Sequence, residues 1–345
     1  LDDFLSSMNK NRPNEVLKLN QSQKTQIKVS STGIVSLDVA IGAGGFPFGK
    51  VIELYGPEGS GKTTVALNVA SVAQKNGCNI GFIDAEHGLN RELCKNLGID
   101  PEKFVVNQPN SGEDAIDMVE KMIRSGAFDV IIVDSIAAMV PKAEILAEVE
   151  QQHMGLHARL MSKFMRRVVG LANESGVMLI LINQIRKNLA AYGTPDETTG
   201  GKAIKFYSSL RIEVRTSSSK KITRGSDVVG HTVIATVKKN KLGSPFKTAE
   251  FDIIYGEGVD SNGALLDVAE QCGVISRSGA YYTIVSTGER VSEIDDDGKV
   301  RSVIGREAVK QYLKDNPLFT EKIKSLVSQS LEGNPSFILD YSEQE

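Results

Sequence analysis

The octapeptide GPEGSGKT, Gly56 to Thr63, fits the spacing GxxxxGK[ST]. Glycines at such spacing let a loop fold so that its backbone N–H groups point inward, where they can hold β- and γ-phosphate oxygens. The positive end of the following helix adds to that attraction. Gly56, Pro57, Glu58, Gly59, Ser60, Gly61, Lys62, Thr63 and Thr64 are therefore the candidate nucleotide-binding residues. Lys62, expected on an exposed loop, neutralises phosphate charge, and Thr63 offers a hydroxyl to Mg²⁺. Asp134 ends the apolar run DVIIVD, where a carboxylate supporting Mg²⁺ belongs. The bland reading of Asp134 is a buried cap for the next helix. Asp84 and Glu86 end IGFIDAE. Glu86 either orients or deprotonates an attacking water or makes an ordinary ion pair, and position alone does not choose. Gln184 follows a fourth apolar run. An amide there can hydrogen-bond a γ-phosphate and pass its loss to the loop beyond.

These residues need a scaffold. VIELY (51–55), IGFID (80–84), DVIIVD (129–134) and VMLILIN (177–183) are short, bounded and rich in β-branched residues. They read as strands buried on both faces. VIELY precedes the phosphate loop and TTVALNVASVAQ opens a helix after it, which is the context that motif requires. SGEDAIDMVEKMIRSG carries apolar pairs at 115/116, 118/119 and 122/123, with Ser111 and Asp114 at capping-box spacing. Strand and helix alternate, so a mostly parallel sheet is expected, with ligands at the carboxyl ends of its strands. SLRIEVR, HTVIATVKK and AEFDIIYG read as further strands. The stretch LILINQIRKNLAAYGTPDETTGGKAIKFY opens as a buried strand and ends in a run readable as another. The long polar loop between them is of a kind that is usually functional or disordered. After about Val259 the pattern changes to a hairpin, YYTIVSTGERV, and two short helices, REAVKQYLKDN and FTEKIKSLVSQSL. The expected organisation is an arm (1–30), an ATPase core (31–258), a small α/β domain (259–333) and an acidic tail (334–345).

The 345 residues are too many for one small core. With 41% hydrophobic and 24% charged residues the composition is that of an ordinary globular protein. A net charge of −3 gives no bulk signal for nucleic acid, which leaves a local basic patch as the route to one. No apolar run reaches the length of a membrane helix, and LDDFLSSMNK lacks a basic start followed by an apolar core. Cys78, Cys94 and Cys272 are far apart and odd in number, which fits neither a disulfide framework nor a zinc site. A cytoplasmic location is the expectation.

Eight segments together resemble the RecA family of recombinases: STGIVSLDVAIGAGGFPFGK, ELYGPEGSGKTT, FIDAEHG, VDSIAAMVPKAEI, HMGLHAR, INQIR, ETTGGKAIKFY and NKLGSPFK. Their order and spacing fit from about Ser31 to the second C-terminal helix. The resemblance implies a RecA-like core that uses ATP and Mg²⁺ to form a helical filament on single-stranded DNA, then pairs homologous duplex DNA and exchanges strands. It implies further copies of the chain as partners, and a self-cleaving repressor of the DNA-damage (SOS) response.

Carried over by position, Glu86 matches the family's catalytic glutamate, Asp134 its Mg²⁺-site aspartate and Gln184 the glutamine coupling ATP to DNA. Asn90 stands at a nucleotide-facing position. Met154 and Leu189 match apolar residues that wedge between stretched base steps. Gly155, Arg159, Ser162, Arg166, Arg186, Gly200, Gly201 and Lys202 match positions that contact the DNA backbone. Lys239 and Lys241 match lysines that reach a neighbour's γ-phosphate. Two apart near a strand end, they should point the same way; the bland reading is a solvated strand edge.

The chain departs from the family in four places. Leu93 replaces a stacking tyrosine, and Asn90 an aspartate. Pro13 interrupts the arm. Ile234 and Thr236 stand where basic residues of a secondary DNA site are expected, with Lys220, Lys221 and Arg224 in a nearby loop as substitutes. VSEIDDDGKVRS looks inserted. Two rivals share the phosphate loop: a RecA-like ring helicase, and a nucleotide-gated DNA-binding scaffold with little hydrolysis.

Overall fold

The computed structural model describes residues 4, 7, 27–147, 155–186, 197–294 and 299–332. Six parallel strands form the centre of one sheet, in the order Leu210–Arg224, Val51–Gly56, Met178–Arg186, Val130–Asp134, Ile80–Asp84 and Phe104–Asn107. Asp227–Asn240, Thr248–Ile254 and Gly258–Val259 extend it antiparallel beyond Leu210. Side chains alternate across a strand, and the apolar runs serve both faces. Val130 and Ile132 pack with helix Lys62–Lys75 on one side. Ile131 and Val133 pack with helices Gly112–Ser125 and Leu156–Ser175 on the other. The expected α/β core with a mostly parallel sheet is therefore present. Ser111 caps Gly112–Ser125, its hydroxyl accepting the Asp114 N–H at 3.1 Å.

A third apolar cluster joins helices Ser261–Gln271, Arg306–Asp315 and Pro317–Glu332. Val35 and Val39 pack against it from the core side.

Several details differ from the sequence reading. KAIKFY is a helix, Lys202–Tyr207, because Ile204 buries itself against Met161 and its neighbours rather than joining a sheet. The expected hairpin in YYTIVSTGERV is present, with Thr283 bridged to Arg290 and the Ile284 and Val291 N–H groups donating to the Glu289 (2.8 Å) and Tyr282 (2.9 Å) carbonyls. Tyr281–Ile284 also pairs on its other edge with Ile275–Ser278, which the sequence reading did not include. A two-residue turn with Gly279 at φ +62° favours that closure. Within VSEIDDDGKVRS, Ser292–Ile294 pairs antiparallel with Val300–Ser302. Lys220, Lys221 and Arg224 lie on the strand Leu210–Arg224, not in a loop. Val29–Ser30 already pairs with Phe46–Pro47, so ordered pairing begins inside the expected arm.

Candidate functional site

The phosphate loop joins the C-terminal end of Val51–Gly56 to helix Lys62–Lys75. Gly61 sits at φ +89°, and a Cβ there would collide with Ile253 Cδ1, so only glycine suits this turn. Lys62 is buried rather than exposed. Its ammonium donates to the carbonyls of Pro57 (2.6 Å) and Gly56 (3.1 Å). Burial pushes its pKa down, and the carboxylates of Asp134, Glu86 and Glu58 oppose that. The lysine is thus held inside the loop, facing acids.

Thr63 donates its hydroxyl proton to Asp134 Oδ2 at 2.6 Å. Burial raises the Asp134 carboxyl to about 6, against the Thr63 hydrogen bond, with Glu86 and Asp84 adding repulsion. Glu86 Oε1 accepts from Gln184 Nε2 at 3.0 Å and from the Ser135 hydroxyl. Asp84 accepts from the Gly88 N–H (3.0 Å) and Gln108 Nε2 (2.9 Å), so it shapes the turn that presents Glu86. Lys62, Thr63, Asp134, Glu86 and Gln184 line one cavity of about 360 Å³.

The cavity's apolar flank was only partly foreseen. Leu93 lines it, as expected. Asn90 does not: it caps helix Arg91–Asn96, accepting the Leu93 N–H at 3.0 Å. Tyr255 and His231, which sequence reasoning missed, complete this side. The Tyr255 hydroxyl lies 3.2 Å from His231 Nδ1. A tyrosine in a Gly-rich YGEG just past a strand was the available signal.

Arg159, Ser162 and Arg166 share one stripe of helix Leu156–Ser175, at i, i+3 and i+7. Both arginines are exposed, with no acidic partner among the described residues. Arg167, one position on, is engaged by Asp117 and Glu120. Gly155 begins this helix in the left-handed region. Gly200 (φ +88°) presses its backbone against Met161, leaving 2.9 Å for any Cβ. The turn Gly200–Gly201 and exposed Lys202 therefore sit beside the arginine stripe. Arg186 ends its strand, its backbone in antiparallel register with that of Glu197. Met154 and Leu189 lie outside the described residues.

Lys239 pairs in strand register with Arg211, which pairs likewise with Glu53 in the strand that leads into the phosphate loop. Lys239 is the last residue but one of the strand Asp227–Asn240, just after a bulge, and Lys241 lies one residue beyond the strand. Lys239 donates to the carbonyls of Phe206 (2.8 Å) and Lys205 (2.9 Å). Burial lowers its pKa, and Lys241 and Arg211 act in the same direction. Of the substitute basic residues, Lys220 is paired with Glu250 at 2.7 Å.

Comparison with known proteins gives one answer. The family model described as the RecA N-terminal domain matches residues 1–260. Protein RecA of Bifidobacterium longum is 43% identical over 95% of this chain and 79% of its own length. Protein RecA of Clostridium botulinum is 46% identical over 88% of this chain and 81% of its own. A crystal structure of the RadB recombinase shares the fold, with a TM-score of 0.51 at 22% identity over 66% of this chain and 97% of that one. The phosphate loop, the acidic cluster, the arginine stripe and these likenesses lead to the same conclusion: this chain belongs to the RecA family of ATP-dependent recombinases.

Proposed function

We propose that the cavity at Lys62 is where this recombinase binds and hydrolyses ATP, and that the stripe beside Gly200–Gly201 is where it holds single-stranded DNA. The observation that carries the reading is the convergence of Lys62, Thr63, Asp134, Glu86 and Gln184 on one cavity. The donors suit Mg²⁺: a hydroxyl and a carboxylate are hard oxygens, and magnesium takes one or two protein ligands beside phosphate. Among the described residues no cluster of three or more His, Cys, Asp or Glu competes as a metal site. When bound, ATP supplies the phosphoryl group and Mg²⁺ the charge that offsets it.

The chain's own residues do the rest. Loop N–H groups and Lys62 hold the β- and γ-phosphates. Thr63 and Asp134 hold the ion. Glu86 accepts a proton from the attacking water, and Gln184 holds that carboxylate in place. Leu93, Tyr255 and His231 cover the base. Arg159, Arg166 and Lys202 neutralise DNA phosphates, Ser162 and the Gly155, Gly200 and Gly201 main chain approach them closely, and Met154 and Leu189 separate base steps. Arg186 contacts the backbone from the strand end. Lys239 and Lys241 act on the neighbouring subunit's nucleotide.

Among the described residues no helix is long and apolar enough to cross a membrane. DNA as partner and three free thiols fit a cytoplasmic location. The ring-helicase and scaffold readings are not favoured, since the relatives named RecA cover most of the chain. The test is phosphate release with and without single-stranded DNA, alongside negative-stain imaging. DNA-stimulated release and open helical filaments are expected; closed rings, or release indifferent to DNA, would overturn the reading.

A further inference from the structure

Four polar side chains are sealed under the sheet's carboxyl end: Glu53 and Asn183 with no exposure, Arg211 at 6% and Thr199 at 8%. Asn183 is their junction. Its Nδ2 donates to Glu53 Oε1 at 2.9 Å and to the Thr199 carbonyl at 3.0 Å. Its Oδ1 accepts the Gln184 N–H at 2.9 Å and the Thr199 hydroxyl. Both amide protons and both acceptor positions are used, so this amide has one orientation. Glu53 turns its other oxygen to Arg211, which lies over the Tyr55 ring at 4.5 Å. The Thr199 N–H in turn donates to the Gln184 carbonyl at 3.2 Å.

The connections matter because of what flanks them. Gln184 reaches the cavity carboxylate Glu86. Thr199 leads directly into Gly200, Gly201 and Lys202. Glu53 stands three residues before Gly56 on the strand that carries the phosphate loop. A buried, fully satisfied network of this kind is rigid and costly to break. A shift of the Gln184 backbone therefore moves Thr199 with it or breaks buried hydrogen bonds.

We infer that Asn183 and Thr199 are positioning residues that tie the nucleotide cavity to the DNA-facing turn, anchored by Glu53. The inference rests on the DNA-dependent ATPase reading above. Neither residue touches nucleotide or DNA; both act through Gln184 and the glycines.

The informative variant is Thr199→Val. It keeps the shape and the carbonyl and removes only the hydroxyl bridge, while Asn183 Oδ1 retains the Gln184 N–H. Measured on the full chain, DNA stimulation of ATP hydrolysis should fall about tenfold, within the range for side chains that modulate coupling between sites. The DNA-free rate and the affinity for ATP should stay unchanged. Thr199→Ser, which keeps the hydroxyl, should restore stimulation. Asn183→Asp, which sets a second carboxylate against Glu53 without donors, should uncouple more severely. Full stimulation in Thr199→Val would overturn the inference, as would an equal loss of DNA-free and stimulated rates. A parent chain whose hydrolysis ignores DNA would instead overturn the function itself.

Discussion

Gln184 donates its side-chain amide to Glu86 Oε1 at 3.0 Å, across 98 positions of sequence. Gln184 rides on the strand Met178–Arg186 and Glu86 on the turn that follows Ile80–Asp84, and their meeting places one acid and one amide together in the cavity wall. A carboxylate so held can take a proton without reorganising. Glu86→Gln preserves the shape and removes the basicity. ATP turnover with single-stranded DNA should fall by roughly 10²–10⁴, the usual worth of a positioned base. Nucleotide affinity, measured by equilibrium titration, should be retained. Unchanged turnover would assign the base elsewhere.

The apolar flank of the cavity gives a second forecast. Leu93 and Tyr255 both line the cavity. An aliphatic side chain covers a ring without aromatic stacking. Leu93→Tyr should tighten ATP by on the order of 1 kcal/mol. Inorganic triphosphate, which has no base, should bind both proteins alike. Equal gains for both ligands would show that the substitution acts on the phosphates.

Much of this was legible in the sequence, for a physical reason. Doubly buried strands such as VIIVD admit few alternatives, and the phosphate loop follows one of them directly. Local signals fared well too: Ser111 caps its helix as its spacing suggests. Long-range pairing was harder to read. KAIKFY has the apolar content of a strand, and only its packing on the Leu156–Ser175 helix makes it helical. Asn90 stands at a position that the family resemblance makes ligand-facing, yet its side chain is taken by the Leu93 N–H. The Glu53–Asn183–Thr199 network joins residues up to 146 positions apart through packing that no local pattern encodes.

The arginine stripe makes a salt-dependence prediction. Single-stranded DNA affinity should fall steeply with salt as counterions are released. Arg159→Ala and Arg166→Ala should each reduce the log–log slope by about 0.7, the value for one phosphate contact on a single strand. Arg167→Ala should leave it unchanged, since Asp117 and Glu120 already hold that guanidinium. Leu189→Ala should weaken binding without altering the slope, because stacking releases no ions. Identical slopes for Arg166→Ala and Arg167→Ala would remove the stripe from the DNA interface.

Asp38 carries a stability prediction. It accepts from Thr32 Oγ1 (2.7 Å), the Thr32 N–H (2.9 Å) and Ser31 Oγ (2.5 Å). Burial nonetheless lifts its carboxyl from 3.8 to about 6. A raised pKa means that the folded state holds the proton more tightly than the unfolded chain. The resulting stabilisation is complete below about pH 4 and is lost as pH rises through about 6, for at most a few kcal/mol. Asp38→Asn should flatten the pH dependence of the denaturation midpoint between pH 4 and 6 relative to the parent. A parallel pair of curves would mean that Asp38 titrates normally.

Lys239 offers the sharpest test. Within one subunit its ammonium holds the carbonyls of Lys205 and Phe206, at the last turn of helix Lys202–Tyr207. A cation there suits the negative end of a helix, and that alone would make it a structural cap. The trans reading requires more: in a filament the same lysine, with Lys241, stabilises charge on the neighbour's phosphates, as an arginine finger does. The two roles separate on mixing. The double variant Lys239→Ala, Lys241→Ala should bind nucleotide as an isolated subunit, yet lose DNA-stimulated hydrolysis and cooperative assembly. Lys62→Ala should lose its own nucleotide site but keep both lysines. Each protein then supplies the half that the other lacks, so mixtures should recover part of the ATPase activity. A cap lost from one subunit cannot be restored by another. Co-assembled mixtures as inactive as either parent would therefore leave Lys239 as a helix cap and remove it from the catalytic site.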